Sequence, residues 1–141
     1  MKTTDDIEAK IDNLFSAMES GDHKVFAEII SSEDNWNTVE AKFYFWDLEF
    51  MRAFLFDANF SSARKKSLLK LMVKHKFDIT EPYNLHIITW NLPILKFVLS
   101  EFSIPDKSIE EGILYREPFG WDPLPLKNLK ICFEHGYNPT E

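Results

Sequence analysis

Residues 129–140 read LKICFEHGYNPT. Adjacent apolar residues (Ile131, Cys132, Phe133) are followed by a polar pair (Glu134, His135) and then by a turn with Gly136, Asn138 and Pro139. The apolar run suits one face of a helix. Gly136 stands where a helix ends in the left-handed C-terminal position, which glycine takes without a Cβ penalty. The same order closes three earlier segments: VFAEIISSEDNWN (25–37), LKLMVKHKFDIT (69–80) and LKFVLSEFSIPD (95–106). A supersecondary unit that returns at intervals of roughly 25 to 43 residues marks a solenoid, whose hairpins cannot bury their apolar faces alone and therefore stack. The pattern predicts an all-α chain, a single domain over 1–141 built as a solenoid of about four stacked helical hairpins.

Upstream of these ends the periodicity supplies the partner helices. Ile7, Ile11, Leu14, Phe15 and Met18 make one stripe of period 3.6, with Asp5, Asp6 and Glu8 at the end where the helix dipole favours anions. SGD (20–22) breaks that helix, and Val25, Phe26, Ile29 and Ile30 begin a second, shorter stripe. The long run TVEAKFYFWDLEFMRAFLFDANF (38–60) is free of glycine and reads as one helix with two apolar faces. Val39, Phe43, Trp46, Phe50 and Phe54 share the first; Tyr44, Leu48, Met51 and Leu55 share the second. Such a helix must be covered on two sides, and Phe45 and Phe56 fit neither face. In ARKKSLLKLMVKHKF (63–77), Leu68, Leu69, Met72 and Val73 face inward, while Lys66, Lys70 and Lys74 form a basic stripe at i, i+4 and i+8. Asn91 and Pro93 separate YNLHIITWN from PILKFVLSEF, and Ser108 with Glu111 reads as a capping box. Pro125 opens the last helix.

Three stretches resemble ankyrin repeats. LFSAMESGDHKVFAEIISSEDNWN (14–37) is similar to a first repeat, with Ala17 inside the first helix and Gly21-Asp22 between helices. NLHIITWNLPILKFVLSEF (84–102) resembles the run in which Thr-Pro-Leu-His precedes a short helix; Leu85 and His86 match, and Asn84 replaces the proline. LKICFEHGYNPTE (129–141) is similar to the end of the second helix and its His-Gly-x-x-Pro turn. Counted over four units the resemblance touches about 80 of the 141 residues, and it is irregular: the second unit is long, the third short, and EPFGWDPLP (117–125) splits the fourth. It implies an ankyrin-like stack with shortened or missing β-hairpin fingers. It also implies that Cys132 lies in the apolar seam, that His135 precedes the capping glycine, and that His86 ties repeats together by hydrogen bonds.

Composition is that of a folded chain, with 45% hydrophobic and 28% charged residues, and the 13 Phe, 4 Trp and 4 Tyr leave much flat apolar surface to cover. One cysteine makes no internal disulfide, MKTTDDIEAK lacks the basic-then-apolar order of a secretory signal, and residues 82–95 are too short and polar to span a bilayer. A cytoplasmic protein without a membrane partner is expected. The net charge of −7 is uneven: residues 1–57 hold thirteen acids and five bases, 58–76 six bases and no acid, and 77–141 ten acids and five bases. Acidic ends disfavour general nucleic-acid binding, which needs a basic footprint.

No residue pattern points to catalysis. Cys132 and His135 give a metal two ligands where a structural zinc needs four, and their i, i+3 spacing supplies no oxyanion hole. The glycines, at 21, 112, 120 and 136, are too scattered to cradle a phosphate. No enzyme, cofactor or metal is expected. The expectation is a protein-binding domain, monomeric when free, and in its sharper form an acidic inhibitor or immunity protein that neutralises a basic toxin or enzyme. An ankyrin-like effector or viral adaptor that binds a host protein has the same pattern. Trp36, Phe45, Phe119 and Trp121 are the candidate partner contacts, because aromatic anchors carry most interface energy. A single-strand nucleic-acid binder using Lys66, Lys70 and Lys74 is the alternative.

Overall fold

The computed structural model describes residues 4–109 and 126–135. Among them every regular element is helical and no strand occurs. The sequence was read as one domain; the chain packs as two compact units, Met1–Asp78 and Ile79–Glu141.

The first unit contains α1 (Thr4–Ser20), α2 (His23–Ser31), α3 (Val39–Asp47), α4 (Phe50–Arg52), a π-helical turn (Ala53–Asp57) and α5 (Ser62–Lys74). Its helices start where side chains satisfy their free amides: Asp22 accepts from the Val25 N–H, Thr38 from Ala41 and Ser61 from Arg64. α1 packs on α2 and α3, and α2 packs on α5. Most of the expected inner faces are buried: Ile7, Ile11, Leu14 and Met18 on α1, Phe26 and Ile30 on α2, Leu68, Leu69 and Met72 on α5; Phe15, Ile29 and Val73 are half-buried, and Val25, expected on the α2 stripe, is exposed.

Two helix ends use the same device. At the end of α1 the Asp22 N–H donates to the Ala17 carbonyl (2.9 Å) and Gly21 to Met18 (3.3 Å), with Gly21 at φ 74°. A Cβ on Gly21 would lie 2.9 Å from the Asn59 carbonyl oxygen, and Asn59 is itself held by its N–H bond to the Met18 carbonyl (2.9 Å). At the end of α5 the Phe77 N–H donates to Met72 and Lys76 to Val73, both at 2.9 Å, with Lys76 at φ 71°. Lys76 occupies in the 69–80 segment the place that Gly136 holds in 129–140. Opposite results are therefore expected in urea titrations. Gly21→Ala loses about 2 kcal/mol or more through left-handed strain and the clash with backbone, whereas Lys76→Gly gains up to about 1 kcal/mol by relieving strain.

The run 38–60 departs from the expected single helix. α3 stops at Asp47, Glu49 turns left-handed at φ 52°, and the chain restarts at Phe50 with a new rotation. The five-residue face is cut in two as a result. Phe50 and Phe54 are fully buried, with Met51 and Leu55 beside them, while Val39, Phe43 and Trp46 are exposed. The inner side of α3 is formed instead by Ala41 and Phe45, one turn apart. Phe50 sits among rings from four other parts of the unit: Phe45 at 4.7 Å between centroids, Phe15 at 5.8 Å, Phe77 at 5.9 Å and Phe26 at 6.3 Å. That cluster is what the break permits: a continuous helix would leave Phe45 off the face that carries Phe50.

The second unit contains α6 (Pro82–Ile88), α7 (Leu92–Glu101), α8 (Asp106–Ser108) and α9 (Leu126–Glu134). Glu81 and Asn91 cap α6 and α7 by accepting from the Asn84 and Ile94 amides. α7 packs on α6 and on α9, burying Leu85, Ile94, Leu95, Val98, Ile131 and Cys132. Glu111 of the expected capping box, the 117–125 loop and Gly136 lie outside the described residues.

Candidate functional site

α3 presents two apolar faces and buries one. Val39, Phe43 and Trp46, at i, i+4 and i+7, are 89%, 54% and 60% exposed, and Leu48 just beyond the helix is exposed as well. Isolated exposed apolar residues are ordinary, but here they line up as a stripe on a helix already buried on its opposite side. Charge is asymmetric around it. Advancing 100° per residue puts Glu40 and Asp47 together along the Phe43 edge and Lys42 along the other. The Lys42 ammonium lies 3.9 Å from the Asp78 carboxylate, whereas among the described residues neither Glu40 nor Asp47 has an ion-pair partner.

The residues singled out by sequence fall elsewhere. Trp36, expected as a partner contact, has no exposed surface: its indole N–H donates to the Ile30 carbonyl (2.8 Å) and its backbone N–H to the His75 carbonyl (2.9 Å). Phe45 is buried against Trp36, Phe50 and Phe77. Both rings belong to the core, so the expectation that they meet a partner is corrected. Phe119 and Trp121 lie outside the described residues. Lys70 and Lys74 of the basic stripe are exposed and Lys66 is half-buried. The α3 face was missed because Val39, Phe43 and Trp46 are as apolar as any core residue. The signal that separates them is the second stripe, Ala41 and Phe45, pointing the opposite way on the same two turns.

Titratable groups inside the fold serve packing. The Glu33 carboxylate is buried and pairs with Lys10, and its carbonyl meets His75 Nδ1 at 2.9 Å. His135 occupies in 129–140 the place of His75 in 69–80, and its Nδ1 lies 3.3 Å from the Ser100 hydroxyl on α7. Each histidine thus reaches from the end of one helix to the end of a neighbouring one. His86 is buried beside Trp90, whose indole N–H approaches its Nε2 at 3.4 Å. The Lys65 ammonium donates to the Leu55 carbonyl in the π-helical turn at 2.7 Å; burial lowers its pKa, partly offset by Asp57. Burial also pushes the Cys132 thiol up to about 11, so the neutral form persists where a catalytic thiolate would be needed. Cys132 accordingly resists a thiol reagent such as Ellman's at pH 8 and reacts once urea unfolds the chain. The sign is fixed by the raised pKa: stability linked to this thiol is present below the unfolded value near 9 and is lost as pH rises through about 11. Labelling of the folded chain as fast as the unfolded one would contradict this.

Among the described residues no group of three or more His, Cys, Asp or Glu side chains is placed to hold a metal ion, and no helix is long and apolar enough to cross a membrane. No protein-family model matches the chain, and neither a curated protein nor a solved structure is significantly similar to it.

Proposed function

We propose that this chain is a non-catalytic protein-binding domain, an irregular ankyrin-like stack of helical hairpins that grips another protein. The observation that carries this reading is the uncovered face of α3, where two large aromatic rings and a valine lie in line in water. Such a surface costs solubility, and its i, i+4, i+7 spacing is that of the anchors by which an amphipathic helix docks on a partner. Neighbour relations support the stack: in the first unit α1 packs on α3 and α2 on α5, and in the second α7 packs on α9. First helices adjoin first helices and second helices adjoin second ones, as consecutive hairpins in a solenoid do. His75 and His135 act as ties at equivalent places. The buried thiol and the surface hydrogen bond between Ser100 and His135 are structural in this reading, not catalytic.

The sharper form is an acidic inhibitor, such as an immunity protein for a toxin, because net charge −7 accelerates capture of a basic target. It is tested by capturing partners of the tagged chain from its native host, purifying the partner found, and measuring complex formation and any loss of the partner's activity. A stoichiometric complex whose association rate falls with added salt is expected; a salt-independent rate removes the electrostatic reading. A second reading, single-strand nucleic-acid binding, draws on the exposed Lys70 and Lys74 within a segment of six bases and no acid, 58–76. Filter retention of an oligonucleotide at low salt that Lys66, Lys70 and Lys74→Gln abolish would favour it, and no retention at low salt ends it.

A further inference from the structure

We infer that the segment received by α3 is a basic amphipathic helix of the partner, its apolar side on Val39, Phe43 and Trp46 and its lysines or arginines along Glu40 and Asp47. This rests on the protein-binding reading above and names the partner's chemistry.

Length, charge and area converge on that occupant. From Val39 to Trp46 the stripe rises about 10 Å along α3, two turns, which is the contact length of one helix crossing another. Val39, Phe43 and Asp47 form an i+4 ridge that begins apolar and ends in an acid. A ridge of that kind fits a groove whose floor is apolar and whose far end is cationic. The second acid, Glu40, lies on the same edge, while the lysine on the opposite edge is already engaged with Asp78. Incoming cations therefore meet uncompensated carboxylates on one side only, which sets the orientation of the guest helix. Trp46, next to Asp47 in sequence and on the Lys42 side of the stripe, adds a cation-binding ring face at that end, better suited to a guanidinium than to an ammonium.

Other occupants fit worse. In a second copy of this chain Glu40 and Asp47 would be gathered around the same stripe from both sides, raising repulsion between two molecules of charge −7. Three side chains on two turns also offer far less than the roughly 800 Å² per partner of a stable dimer. An anionic membrane surface is disfavoured by the same carboxylates. The limited area sets the expected strength, about micromolar for an isolated helix.

The test uses the full chain and two synthetic peptides of about 18 residues with identical leucine faces, one carrying arginines on its polar edge and the other glutamates. Binding is followed by calorimetry at about 50 mM and 500 mM salt. The arginine peptide is expected to bind at least tenfold more tightly than the glutamate peptide, with the difference shrinking at high salt. Val39→Ser with Phe43→Ser and Trp46→Ser weakens it at least tenfold, with the circular dichroism unchanged because the three side chains are exposed. Glu40→Lys with Asp47→Lys reverses the preference between the peptides, and this variant decides the matter even where the triple serine variant fails to fold. Binding of the arginine peptide unaffected by either set of substitutions overturns the inference, since the peptide would then be attracted by net charge alone. So does dimerisation of the free chain in sedimentation that Trp46→Ala abolishes, or tight binding to phosphatidylserine vesicles that the same change removes. A native partner that forms its complex with the wild type and equally well with both variant sets would overturn this site while leaving the protein-binding reading intact.

Discussion

Phe50→Ala lowers the stability of the first unit by about 3–5 kcal/mol. Phe50 is fully buried and its ring contacts Phe15, Phe26, Phe45, Phe54 and Phe77, which come from α1, α2, α3, the π-helical turn and the joint after α5. Removing the ring deletes its transfer free energy and leaves a cavity that five separate segments cannot all close, because each is anchored elsewhere. Ring-to-ring contacts add about 0.5–1.5 kcal/mol per pair beyond area, so the loss falls at the upper part of the range. Against a typical total of about 5–15 kcal/mol this is a large share. Guanidinium titration followed by circular dichroism measures it. Phe50→Leu, which keeps much of the volume, costs roughly 1–2 kcal/mol, and Phe56→Ala, at a half-exposed ring, stays within about 0.5 kcal/mol. A Phe50→Ala midpoint indistinguishable from that of Phe56→Ala would refute the placement of the core.

Trp36→Ala loses a similar amount, about 3–5 kcal/mol, and this result separates core from interface. A tryptophan waiting for a partner leaves the free protein as stable when truncated. A tryptophan with no exposed surface, its indole N–H bonded to Ile30 and its ring 5.6 Å from that of Phe45, does not. Trp36→Phe divides the effect: much of the ring remains, but the Ile30 carbonyl loses its donor, at a cost of about 1–3 kcal/mol. Trp46→Ala is the matched contrast. That indole is 60% exposed, and the same measurement should move by no more than about 0.5 kcal/mol, the effect appearing in partner binding.

Helix periods and turn residues were legible from residue order because both are local. The stripe on α1, the break at Gly21-Asp22, the inner face of α5 and the start of α7 after Asn91 are set by side-chain spacing, caps and backbone preferences acting within a few residues. The correspondence of 69–80 with 129–140 was legible for the same reason, but that Lys76 takes the left-handed conformation there was shown only by the folded chain. Periodicity had nothing to say about Glu49. A left-handed glutamate is locally unfavourable, and its cost of about 1–2 kcal/mol is met only because the break lets Phe45, Phe50 and Phe54 enter one ring cluster with Phe26 and Phe77.

Hydrophobicity states how much a side chain gains from leaving water, without stating which neighbour will cover it. Val39, Phe43 and Trp46 read as core and Phe45 as a possible contact; the fold buries Phe45 and leaves the other three in water, because a helix between neighbours has to choose which of its faces they fill. Helical content, the caps and turns that bound several helices and the basic character of α5 were thus written in the chain itself. Which aromatic rings pack and which stay in water was settled by rotation about the break at Glu49, a property of segments far apart in sequence meeting around Phe50.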